Sequence, residues 1–287
     1  MGIIDNIKND AQKNGSKVQS TEAAKLEVIF NRMFYLDKNI EEETKFVNQV
    51  MTRGLGDTER KGLHASAIIT SENQFCVRQQ VLSLLFKQLQ GEQLQVGLMR
   101  IFAEGNAIHE KWQRLLIRAG YAKAKTLDRT RMDEDYMISY TPDIVCRIPE
   151  FYDGVLVGEI KSVNPYQFKK MTSHPSAHKQ LEWYMYLCQK AAKEKGTWNG
   201  KDYMKGFVLC DDKGAQDFKL FIYDYEPETV APFIDRCEEI KYHYYEFINN
   251  GKLVNRRKGC DSSTCKFAES CPMRDACYEI GMGRVKL

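Results

Sequence analysis

Residues 136–161 read YMISYTPDIVCRIPEFYDGVLVGEIK. The runs 136–148 and 155–161 are rich in β-branched and aromatic residues, and Pro149 to Gly154 between them has turn chemistry, so the stretch predicts a β-hairpin. The midpoint between Asp143 and Glu159 is Phe151, inside the turn, so a symmetric hairpin brings the two carboxylates to face each other. Glu159 and Lys161 are two apart on one strand and share a face. Pro142 donates nothing to a ladder, which predicts a loosened strand where Asp143 turns toward its site. Two carboxylates and a lysine therefore converge on one end of a sheet.

That combination suits phosphodiester hydrolysis. Hard oxygen ligands hold Mg²⁺ or Mn²⁺, the metal polarises the phosphate and acidifies water, and a lysine orients that water or offsets developing charge. The carbonyl of Ile160, between the two side chains, is a further candidate ligand. On its own Asp-x16-Glu-x-Lys is a weak pattern, and the bland alternative is a solvated hairpin face with a surface ion pair.

Two flanking segments add to it. Upstream, Ile101, Ile108, Trp112, Leu115 and Ala119 recur at helical spacing, and His109 sits beside this stripe, four residues after Gly105. A histidine there is either a packed core residue or an Mn²⁺ ligand. Downstream, Gln180 and Tyr184 stand at i and i+4 on one predicted helix face, as a pair that touches substrate or supports the lysine. Further on, 206–210 and 218–225 read as two strands around the polar turn Asp211-Asp212-Lys213-Gly214.

The order Gly105-x3-His109, Pro142-Asp143, Glu159-x-Lys161, Gln180-x3-Tyr184 resembles the PD-(D/E)XK nuclease superfamily, and within it the RecB-type nucleases, over roughly residues 65–280. Four motifs in order are far more specific than any one. The resemblance implies an α/β fold with a restriction-endonuclease-like core, in which a central mixed sheet is flanked by helices. It implies that His109, Asp143 and Glu159 hold one Mn²⁺ or Mg²⁺, that Lys161 positions the attacking water, and that Gln180 and Tyr184 line the path of the strand. The implied activity is exonucleolytic, on single-stranded DNA or duplex ends. An endonuclease of the same superfamily and a non-catalytic DNA-binding module of a recombination or spacer-acquisition complex are the alternatives.

The C-terminal part carries Cys260-x4-Cys265-x5-Cys271-x5-Cys277, four of the nine cysteines within eighteen residues. The chain shows no signal peptide or long apolar run, which predicts a reducing cytosolic compartment, where clustered thiolates bind iron-sulfur clusters or zinc rather than form disulfides. The spacing lacks the Cys-x2-Cys knuckles of common zinc sites. The arrangement is similar to the iron-sulfur branch of the RecB-like nucleases, which includes the CRISPR-associated exonucleases of spacer acquisition and ties one cysteine before the core to three after it. The resemblance implies a structural [4Fe-4S] cluster, with zinc as the alternative. The chain departs from that pattern by having four C-terminal cysteines and no Cys-x2-Cys step. Either Cys76 joins three of them, with Cys260, Cys265 and Cys271 nearest the family gaps, or the four C-terminal thiols suffice. Cys146, Cys188, Cys210 and Cys237 lie in apolar contexts and read as small buried hydrophobes.

At 287 residues and 43% hydrophobic, the chain can bury a full core, and it divides by sequence into a helical extension 1–60, a nuclease core 61–255 and a cysteine-rich segment 256–287. Residues 1–20 are polar and read as loosely docked, 21–52 carry Leu26, Ile29, Phe30, Met33 and Phe34 at helical intervals, and Gly54-Leu55-Gly56 reads as a linker. The net charge of +3 leaves phosphate affinity to local patches: Arg129 with Arg131, Lys169 with Lys170, and Arg256-Arg257-Lys258. Tyr166, Trp183 and Tyr186 are candidates for stacking on unpaired bases, with the core as their alternative. There is no phosphate-binding Gly-Lys-Thr loop, so any unwinding calls for a helicase or recombination partner. A compact nuclease without a helicase fits a bacteriophage origin. No segment calls for a membrane.

Overall fold

The computed structural model describes residues 17–52, 62–86, 96–127, 129–215 and 217–279. The expectations for most of 1–20 and for the Gly54-Leu55-Gly56 linker lie outside the described residues. In chain order the elements begin with α1 Lys17–Met33, α2 Ile40–Thr52, β1 Leu63–His64, α3 Ala65–Ile68, α4 Val77–Leu85 and α5 Val96–Arg118. Four strands follow, β2 Arg131–Asp133, β3 Ile138–Tyr140, β4 Ile144–Cys146 and β5 Leu156–Val163. Next come α6 Pro165–Lys170, α7 Pro175–Glu194, β6 Lys205–Asp212 and β7 Phe218–Asp224. The last are α8 Pro227–Asn250, α9 Lys266–Glu269 and α10 Arg274–Tyr278. This is an α/β protein with two mixed sheets flanked by helices. Among the described residues no helix is long and apolar enough to cross a membrane.

The chain forms two compact units, each assembled from three separate stretches. The first holds 1–56, 100–129 and 141–227 and contains the sheet β4-β5-β6-β7. Its central strands β5 and β6 run parallel over eight register pairs, with antiparallel β4 and β7 on the edges. The β5 to β6 crossover passes through α6 and α7, the connection that a parallel pair requires. Both helices start by the same local chemistry. Proline occupies the first turn, where its missing N–H costs nothing, and the side chains of Asn164 and His174 accept backbone N–H bonds from Gln167 and Ala177.

The predicted N-terminal helix packs into this unit. Leu26, Phe30, Met33 and Phe46 are fully buried in one cluster with Trp112, Leu116, Ile144, Ile160 and Phe207. The Phe30 ring meets Phe207 edge-on at 5.5 Å, and Trp112 meets Phe218 at 4.9 Å, so aromatic contacts join α1 and α5 to the sheet. Phe34, one step past the buried stripe, is half exposed.

The second unit holds 57–99, 130–140 and 228–287. Its three short strands run β1-β3-β2, parallel then antiparallel. Arg236 of α8 donates to the carbonyls of Ile68 and Thr70 at 2.6 and 2.7 Å and stacks over Phe75, tying that helix to the loop before α4. A small apolar cluster joins Leu82 of α4 to Met273, Ala276 and Cys277.

Three sequence expectations are corrected. The run 136–148 is two strands: β3 pairs with β1 and β2, β4 pairs with β5, and the break falls at Thr141-Pro142-Asp143, where proline offers the ladder no donor. Ile101 is exposed and does not belong to the buried stripe of α5, which begins with the partly buried Ile108. Asp211 and Asp212 are buried at the end of β6 and are strand residues, Asp211 because its carboxylate takes the Trp112 Nε1–H inside the fold, while Asp212 accepts the Gly214 N–H of the turn that follows.

Candidate active site and cysteine cluster

β4 and β5 pair Ile144 with Gly158, Val145 with Val157 and Cys146 with Leu156, a register centred on Phe151 as the spacing of the carboxylates predicted. Asp143 stands one residue before this ladder. Its Oδ2 accepts the N–H of Ile160 at 2.8 Å, and its Oδ1 lies 3.3 Å from His109 Nδ1. His109 comes from α5, and Gly105 lies one turn earlier on that helix. A Cβ at Gly105 would stand 3.9 Å from Ser162 Oγ, so the helix runs close past the end of β5.

Glu159 is 1% exposed, and its Oε2 has no hydrogen-bond partner. Its Oε1 accepts Lys161 Nζ at 2.5 Å. Burial first, and then the negative charge of Asp143, push the Glu159 carboxyl up to about 8 despite Lys161. Lys161 in turn donates to Gln180 Oε1 at 3.1 Å, and Gln180 Nε2 donates to the Tyr184 hydroxyl at 3.1 Å. Burial works against charge on Lys161, but the Glu159 and Asp143 carboxylates outweigh it and raise its pKa. The same contest holds at His109, where burial lowers the pKa and Asp143, with Glu159, raises it by more.

The structure thus brings together His109, Asp143, Glu159, Lys161, Gln180 and Tyr184. It corrects one role: Tyr184 is 2% exposed and does not line a path for substrate, but fixes Gln180, which holds Lys161. Trp183 is wholly buried and stacks on Tyr186 at 5.3 Å, so it is core and not a base platform, whereas Tyr166 is 70% exposed beneath Lys170. Ile160 supplies its N–H to Asp143, with its side chain in the core.

Two site residues were missed by sequence reasoning. Gln113 Nε2 donates to the carbonyl of Asp143 at 2.7 Å, and its position four after His109, on the same helix face, was the available signal. Asp211 takes both Lys111 Nζ and Trp112 Nε1 on Oδ2, and no local pattern marked it.

In the second unit Cys76, Cys260, Cys271 and Cys277 border one cavity of about 620 Å³. Cys265 Sγ lies 3.7 Å from Cys260 Sγ and accepts the N–H of Ala268 at 3.3 Å. Cys277 Sγ accepts Arg78 Nε at 3.2 Å, and Tyr278 OH stands 3.2 Å from Cys260 Sγ. Burial raises Cys260 and Cys271, whereas at Cys265 backbone N–H groups, Ala268 foremost, overcome desolvation and lower it. Arg256 stacks over Tyr278 at 4.1 Å and Arg257 over Phe267 at 4.0 Å, so this basic run packs the cysteine segment. Cys146, Cys188, Cys210 and Cys237 are buried, as expected. Among the described residues no three His, Cys, Asp or Glu side chains stand grouped as if around a single ion.

No family model and no curated protein matches the chain. Among solved structures, one described as the crystal structure of SSO0001 aligns over 81% of this chain and 95% of its own, with 14% identity and a TM-score of 0.42, a likeness too slight to carry argument.

Proposed function

We propose that this chain is a metal-dependent deoxyribonuclease of the PD-(D/E)XK, RecB-like type, acting as an exonuclease on single-stranded DNA or duplex ends. The observation that carries the reading is Glu159 Oε2, a buried carboxylate oxygen without a partner beside Asp143 and His109. An orphaned buried oxygen is costly unless a cation meets it, and oxygen and imidazole donors suit Mn²⁺ or Mg²⁺. His109, Asp143 and Glu159 would hold the ion, with the Ile160 carbonyl as a further ligand. A bound ion would polarise the phosphate and acidify the attacking water.

The chain's own residues do the rest. Lys161 presents a charged ammonium 2.5 Å from Glu159, where it orients water and offsets negative charge as the phosphate passes through its transition state. Gln180 and Tyr184 limit the rotamers of that ammonium. The Ile160 N–H and Gln113 hold Asp143 at its side chain and at its main chain.

Cys76, Cys260, Cys271 and Cys277 line one cavity, and the lack of Cys-x2-Cys steps favours an iron-sulfur cluster over tetrahedral zinc. Hydrolysis moves no electron, so the cluster's role is structural. The protein works in the cytosol, the host's if it is viral, with any unwinding supplied by a helicase or recombination partner.

The test is cleavage of end-labelled linear single-stranded DNA, with a closed circle as control, by anaerobically purified protein with Mn²⁺ or with chelator. Loss of the linear strand alone, abolished by Asp143→Ala, is the expected result. Cutting of the circle moves the assignment to endonuclease, and a folded protein that binds DNA without cutting it makes the binding module the better account.

A further inference from the structure

Lys111, Trp112 and Gln113 follow His109 on the same turn of α5, and all three are pinned. Lys111 Nζ and Trp112 Nε1 both donate to Asp211 Oδ2, the Trp112 bond at 2.7 Å, while Gln113 Nε2 reaches the Asp143 carbonyl at 2.7 Å. Asp211 is 3% exposed and Gln113 6%. Asp211 pairs in register with Ser162 of β5, one residue beyond Lys161. This stretch of helix is therefore tied to the end of the sheet at two places, directly after His109, whose Nδ1 lies 3.3 Å from Asp143 Oδ1.

We infer that Asp211, with Gln113, is a positioning residue that sets how tightly the His109, Asp143 and Glu159 site binds its divalent cation. The inference rests on the metal-site reading above. Neither residue is among those that would hold the cation. A ligand that must be drawn into place at the moment of binding subtracts that cost from affinity, and the two ties reduce it by fixing the stretch of helix that carries His109. A buried aspartate that only docked α5 would need one donor; this one collects two consecutive residues, which fixes the rotation of the helix as well as its distance from the sheet.

The test uses full-length protein, with Mn²⁺ affinity read by electron paramagnetic resonance of the free ion and DNA cleavage followed across Mn²⁺ concentrations. Asp211→Asn keeps an acceptor for Trp112 and loses the charge facing Lys111. Gln113→Met keeps the shape and loses the donor. Each should weaken Mn²⁺ binding by about tenfold while saturating Mn²⁺ restores kcat. Lys111→Met, at a half-exposed position, is the second route to the same loss should Asp211→Asn fail to fold. Folded variants that bind Mn²⁺ within about twofold of wild type, even with a lowered Tm, overturn the inference. Wild type that binds Mn²⁺ without cutting DNA would refute the nuclease reading while the affinity shifts still decide this one, and wild type that binds no Mn²⁺ refutes both.

Discussion

An ordinary glutamate gives up its proton near 4.5, whereas burial and Asp143 hold that of Glu159 to about 8. Between those values the folded chain keeps a proton that the unfolded chain has lost, so without metal its stability falls as pH rises through that window and is flat above it. His109 acts in the same direction. Its pKa is raised above 6.5 by Asp143 against the effect of burial, so its stabilisation is complete below 6.5 and is lost as pH rises through the folded value. In chelator, Tm of the wild type should decline from pH 5 to pH 8, and Glu159→Gln should decline less steeply; parallel curves would show that Glu159 titrates normally. Lys161 gives a kinetic counterpart. Removing its ammonium in Lys161→Met should lower kcat by about 10²- to 10³-fold. Gln180→Leu, which leaves the ammonium present but unguided, should lower it by roughly 10- to 100-fold. Tyr184→Phe, which spares Gln180's bond to Lys161, should cost less than Gln180→Leu. A Tyr184→Phe defect larger than that of Gln180→Leu, at unchanged Tm, would break this order.

The hairpin is the element on which the site depends, and its close packing makes it sensitive. A Cβ at Gly158 would stand 2.6 Å from the Phe207 ring and 3.0 Å from Ile144 Cβ, so the ring lies across β5 in space that a side chain at that position would take. Gly158→Val should destabilise by about 1–3 kcal/mol through overpacking one residue from Glu159. Denaturant midpoints would measure it, and a neutral result would mean that Phe207 moves aside freely. The register of this hairpin was legible in the sequence, since Asp143 and Glu159 lie symmetrically about the turn at Phe151, and so were β6, β7 and the α7 pair Gln180 and Tyr184. Other features were hidden because they depend on distant partners. Nothing in 136–148 separates the pairing of β3 from that of β4 except Pro142, whose effect shows only when each half has found its own sheet. Asp211 looks like a turn residue until Lys111 and Trp112, about a hundred residues earlier, are seen to satisfy it. The helical spacing of Tyr184 left open whether it touches substrate or supports Lys161, and that of Trp183 whether it stacks on bases or lies in the core; only the packed fold, which buries both, separates these.

Over the whole molecule, the chain passes between its two units at 56/57, 99/100, 129/130, 140/141 and 227/228, so neither unit is a continuous stretch. Asp143 and Glu159, the proposed cation ligands, belong to the first unit, and Cys76, Cys260, Cys265, Cys271 and Cys277 all belong to the second. The two inorganic groups should therefore be separable by chemistry. The described apolar cluster beside the cysteines has four buried members, Leu82, Met273, Ala276 and Cys277, so on the proposed reading thiolate-iron bonds would add to the hold on α4, α9 and α10. Dialysis against EDTA should abolish cutting, leave the visible absorption of the cluster and Tm near their starting values, and be reversed by Mn²⁺. Serine at Cys76, Cys260, Cys271 or Cys277, the thiols bordering the cavity, should instead remove iron and lower Tm. Cys265→Ser reads the remaining ambiguity: retained iron would exclude Cys265 from the ligand set, and lost iron would place it there, next to Cys260 at 3.7 Å. Iron content by inductively coupled plasma mass spectrometry, taken with Tm for each variant, separates these cases. A full set of serine variants that keep both iron and stability would show that the thiols hold no cluster, and that the buried apolar side chains of the second unit, among them Leu63, Ile68, Val81, Ile138, Phe233 and Ile240, suffice to hold it.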